Sequence, residues 1–83
     1  MKYVVSRMIT DANNVVSQIL VSNYEGTLEG RQRAEADFHT QLADAATKVR
    51  TSGRLSDGAI LLTNEGQILE QKFYVPVAVE VEE

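Results

Sequence analysis

One stretch in the middle of the chain limits the fold more than any other. Through RQRAEADFHTQLADAATKVR, Arg31 to Arg50, a step of about 100° per residue puts Ala34, Phe38, Leu42, Ala45 and Val49 on one stripe. Arg33, Asp37, Thr40, Asp44 and Lys48 fall opposite. The pattern predicts an amphipathic helix, with Asp44 and Lys48 four apart in the favourable order. Thr27 is placed to cap its start, with Glu29 near the positive end of the helix dipole, and Gly53 is a natural stop. A helix with one dry face needs a flat apolar partner, and the rest of the chain has to supply it.

Both flanks read as β-hairpins. Tyr3 to Ile9 is rich in β-branched and aromatic residues without helical period, and Val15 to Tyr24 repeats the character. Between them TDANN, Thr10 to Asn14, is turn chemistry, because Asp and Asn side chains fold back onto the backbone. Beyond the helix, RLSDG (Arg54 to Gly58) reads as a loop, Ala59 to Thr63 as a short strand and Asn64 to Gly66 as a turn. Ile68 to Tyr74 then pairs within the domain. The expected fold is α+β, in the order β-β-α-β-β: a four-stranded, mainly antiparallel sheet with one helix across one face.

In the first strand Tyr3, Val5 and Ile9 share one face, and Val4, Ser6 and Met8 share the other. In the second, Val15, Ile19 and Val21 alternate with Val16, Gln18, Leu20 and Ser22. Both faces are apolar, more so than a sheet with one wet face needs, so part of the second face should be covered.

The last eleven residues, FYVPVAVEVEE, keep a strand pattern almost to the end. Holding one face from Leu69 to Val81 takes 13 residues, or about 43 Å of strand. The short partner strand cannot match that length. Pro76 lacks an N–H and suits an edge or a bend. The chain therefore divides into a body, residues 1–75, and a segment, 76–83, that reads as an intersubunit strand or tail. Phe73, Val75, Val77, Val79 and Val81 are the expected oligomer interface.

Eighty-three residues make one domain with a small core. No cysteine is present to add a disulfide or a thiolate zinc site. Oligomerisation is then the common remaining support for so small a fold. Lys and Arg number 8 against 12 Asp and Glu, and part of the acidic excess sits in Glu80, Glu82 and Glu83. A phosphate-tracking protein would show clustered basic residues, so non-specific nucleic-acid binding is not expected. No secretory signal is evident, and no run approaches the ~20 apolar residues of a membrane span. A cytoplasmic protein without membrane contact is the expectation.

Candidate chemistry is sparse. His39, the only histidine, borders the apolar stripe with Glu35 one turn earlier, but no nucleophile can be placed beside it. A structural or surface role is the plainer reading. DANN lacks the glycine and distal glutamate of a calcium loop, and GTLEGR lacks the phosphate-loop pattern. Neither cofactor nor metal is expected, nor catalysis. Arg31 and Arg33 lie beside a helix N-terminus whose N–H groups can meet an anion. Arg50 and Arg54 flank the other end, where favourable charge at a helix C-terminus explains them as well. Arg31, Arg33, Arg50, Arg54 and His39 are the candidate ligand-binding residues.

MKYVVSRMITDANN followed by ADFHTQLADA resembles small proteins encoded by phages and prophages of Gram-positive bacteria. The resemblance covers roughly the first half of the chain and carries no site residues with it. It implies an accessory protein acting in the host-cell cytoplasm, antagonising host defence by binding. Two functions follow as expectations. One is a homo-oligomer that sequesters a small anionic, nucleotide-like signal between subunits. The other is an inhibitor of a host enzyme or defence effector, acting through an edge strand or the helix face, with a structural phage subunit as a further alternative.

Overall fold

The computed structural model describes residues 1–76. The elements run β1 (Lys2–Thr10), β2 (Val16–Glu25), α1 (Leu28–Thr51), β3 (Ser56–Thr63) and β4 (Ile68–Tyr74). The strands form one antiparallel sheet in the order β2-β1-β3-β4, with the helix across one face. The expected α+β architecture is thus the observed one. Val77, Val79 and Val81, assigned above to an oligomer interface, lie outside the described residues.

Turn chemistry closes both hairpins. Asp11 Oδ1 accepts from the N–H groups of Asn13 and Val15, and Asn14 takes the positive φ that the turn needs. At the second turn, Thr63 Oγ1 accepts from Glu65 and Gln67, and Gly66 supplies a φ of 94°. The helix begins at Leu28, directly after the cap expected from the sequence. Thr27 caps it, its Oγ1 accepting from Gly30 N–H at 3.0 Å. Gly30 is buried there, and a Cβ at that position would sit 1.9 Å from the Glu25 carbonyl oxygen.

Three sequence expectations change. RLSDG is not all loop, because Ser56, Asp57 and Gly58 pair with Thr10, Ile9 and Met8 as the first turn of pairing in β3. Asp and Gly are poor strand formers, but Asp57 is held by two arginines, and Gly58 permits a close approach. A Cβ on Gly58 would lie 2.3 Å from the Lys72 carbonyl oxygen and 2.4 Å from the Phe73 ring. Next, the β1–β2 register shifts between Val5 and Ser6, so one extra residue sits in β2. Ser22 consequently pairs with Val5 and turns to the helix side, not to the side of Leu20. Last, a shift between Leu61 and Leu62 removes Leu69 from the face of Phe73 and sets it against the core.

The core lies between helix and sheet. Tyr3, Val5, Ala59 and Leu61 meet Ala34, Phe38 and Leu42, with Tyr24, Leu69 and Tyr74 packed at the margin. The five residues of the predicted stripe are all buried. A helix is about 10–12 Å across with its side chains, and four strands about 4.8 Å apart are wider than that. It therefore shields the central strands β1 and β3 and leaves β2 and β4 largely exposed.

Candidate functional site

The candidate basic residues do not converge in one chain. Arg31 and Arg50 are nineteen positions apart on the helix, about 28 Å along the axis. Arg31 Nε bonds Glu35 at 3.2 Å and its guanidinium lies 5.9 Å from the Tyr3 ring centroid. Glu35 holds the Arg31 proton more tightly than usual, raising that pKa. Arg33 pairs with Glu29 at 2.9 Å. The hollow at the helix start, about 250 Å³, is lined by Thr27, Gly30 and Arg33 but also by Glu25 and Glu29. Two carboxylates make it a poor receptor for an anion.

At the other end Arg54 is half-buried and bonds Asp57 at 2.6 Å, which gives it a structural duty. Arg50 is exposed and enters no ion pair among the described residues. His39 is exposed, edge-on to Phe38 at 5.4 Å between centroids. Glu35, the carboxylate suggested above as its partner, is taken by Arg31. His39 borders a groove of about 250 Å³ with Phe38, Leu42, Glu70, Gln71 and Lys72. Ligand pockets are commonly ~300–1,000 Å³ and more enclosed.

Two polar networks tie the helix to the sheet. Arg7 points from β1 toward the helix, bonding Asp57 through Nε at 3.0 Å and Nη2 at 2.8 Å. Its Nη1 also donates to Gln41 at 2.9 Å and to Asp44 at 3.0 Å. Asp57 is wholly buried and is met by two guanidiniums, the pairing that a buried carboxylate needs. The bond to Asp57 raises the Arg7 pKa, and Arg7 in turn lowers that of Asp44. Across the helix, Asp37 accepts from Ser22 and from Tyr24, the latter at 3.2 Å. No buried side-chain polar atom among the described residues lacks a partner. Both networks are internally satisfied and serve to hold helix against sheet.

The least satisfied surface is the sheet face away from the helix. Antiparallel partners share a face, so the register gathers Val4, Met8, Leu20, Leu62, Ile68 and Phe73 on it. Val16 lies 60% exposed, Leu20 60%, Ile68 52% and Phe73 41%. The sequence announced two apolar faces and a cover for the second, but among the described residues no element lies over it. Phe73 and Val75, expected at an oligomer interface, are exposed at the edge of this face and just beyond it. The charged side chains the paired strands place there are Lys2 and Glu25, which meet at 3.0 Å at one end.

No family model, no curated protein and no solved structure matches the chain. No described helix is long and apolar enough to cross a membrane. Among the described residues there is no cluster of three or more His, Asp or Glu able to hold a metal ion.

Proposed function

We propose that this chain is a non-enzymatic binding protein whose working surface is the sheet face turned away from the helix. The observation that carries the reading is the uncovered apolar array of Val16, Leu20, Ile68 and Phe73. Single exposed apolar side chains are ordinary, whereas a contiguous apolar face on a small domain marks an interaction site. With the phage-like first half, the natural role for such a surface is antagonism of host defence by occupation, without turnover. A photo-cross-linking amino acid in place of Leu20, compared with one in place of Thr40 on the exposed side of the helix, tests this. Covalent adducts from position 20 alone are expected. Adducts from position 40 alone, or none from position 20, would overturn it.

A second reading is sequestration of a small anionic, nucleotide-like signal between copies. Arg50 favours it, as an exposed guanidinium without an acidic partner among the described residues. Charges from two chains would have to meet on the ligand, because one chain keeps its basic pairs at opposite ends of the helix. Calorimetry against cyclic and linear nucleotides tests this, and no heat at high protein concentration sinks it.

A further inference from the structure

Resting on the reading of the open sheet face as a contact surface, we infer that its occupant is a second copy of this chain, packed sheet to sheet. Charge, area and the state of the core all point to that partner.

In a two-fold interface each patch meets its own image, residue i of one copy against residue j of the other, so a face dominated by one sign of charge would repel its copy. Here the paired strands contribute only Lys2 and Glu25, and these neutralise each other within one chain. The helix side is different, with Arg31, Arg33, Asp44 and Lys48 spread along it. A partner of strong opposite charge would find nothing to grip on the open face, whereas an apolar copy of that face fits it.

Area gives the second argument. Four strands about 4.8 Å apart and about eight residues long make a flat footprint of roughly 500 Å². Two such faces remove roughly 1,000 Å² before side-chain relief is counted, which is where specific interfaces begin. The whole face must therefore be used, as two sheets packed about 10 Å apart in aligned layers would use it.

The third argument is the state of the face itself. Ile60 on its central strand is already 6% exposed and Ser6 is 4% exposed. The Phe73 ring lies across Gly58. The centre of the face is buried, and the outer strands leave Val16, Leu20, Ile68 and Phe73 exposed, interspersed with the uncharged polar side chains of Gln18, Asn23 and Gln71. A chain this small, with no cysteine, gains much from a second layer over them.

Sedimentation equilibrium is the test. The wild type is expected at twice its 9.2 kDa or more at tens of micromolar. The double variant Leu20→Lys/Ile68→Lys should fall to the single-chain mass, while Ala43→Lys on the exposed helix surface keeps the assembly. A wild type that stays a single chain to high concentration overturns the inference. If position 20 still cross-links a different molecule, the face reading survives; if it captures nothing, both fall. An assembly that persists in the double variant also overturns it, since copies would then meet elsewhere. Should the double variant fail to fold, mixed-label methyl NMR of the wild type decides. Contacts between copies among the methyls of Leu20, Ile60 and Ile68 support the inference, and contacts from helix methyls alone refute it.

Discussion

The two faces of the sheet carry similar amounts of apolar side chain and differ in what lies over them. On one side Tyr3, Val5, Ala59 and Leu61 are closed over by Ala34, Phe38 and Leu42. On the other, Val4, Met8, Leu62, Ile68 and Phe73 have neighbours in the sheet and nothing above them among the described residues. The helix face is also pinned by charge, with Arg7 reaching Asp57, Asp44 and Gln41. The open face has no comparable polar anchor. A face locked by buried ion pairs is specified in register and orientation, while an apolar, charge-poor face is free to receive another surface. The difference separates the part of the molecule that makes the fold from the part available for contact.

Substitutions of one residue type on the two faces test that separation. Phe38 is 2% exposed and Phe73 is 41% exposed. Phe38→Ala should cost about 3–5 kcal/mol in urea unfolding, with Phe73→Ala costing clearly less at concentrations where the chain is single. Equal costs would erase the distinction between the faces. Arg7→Ala should come next, at about 3–4 kcal/mol, because it removes the bidentate partner of a buried carboxylate. If replacing Arg7 and Asp57 together with apolar residues recovers much of that loss, the cost comes from the orphaned charge and not from lost packing.

Gly58→Ala should cost about 1–3 kcal/mol, because its Cβ meets backbone that must move. It also displaces Phe73, so it should weaken any contact made through the open face more than a core cavity does. The smallest effect belongs to Asp44, whose pKa Arg7 holds below the ordinary carboxylate value. Its contribution is complete above the unfolded value, about 3.9, and is lost as pH falls through the lower folded value. The stability gap between wild type and Asp44→Asn should therefore be present at neutral pH and close in strong acid. A gap unchanged by acid would mean that Asp44 acts through packing.

Much of this arrangement is legible in the sequence, and the failures have physical causes. The stripe from Ala34 to Val49, the Thr27 cap and the two turns follow from local rules, and the structure keeps them. The start of β3 hides because Asp57 and Gly58 disfavour strands locally, and both are retained for reasons set by distant residues. Asp57 answers Arg7, fifty positions away, and Gly58 makes room for the Phe73 ring. The two bulges hide too, since an extra residue in β2 or β4 leaves the alternation plausible while changing which side chain faces which way. Arg7 itself offered a signal. It shares its face with Tyr3, Val5 and Ile9, and a lone charge among core residues calls for a buried partner. The basic pairs at the helix ends form no common site, and spacing along a chain says nothing about the carboxylates that neighbour them. Glu29, Glu35 and Asp57 claim three of the four guanidiniums.

If the open face is half of a core that a second copy completes, folding and association are linked by mass action. Urea unfolding of the wild type across a hundredfold range of protein concentration tests this most directly. The midpoint should rise by roughly half a molar for each tenfold increase in concentration. A midpoint independent of concentration would contradict the account and leave the apolar face without the partner assigned to it.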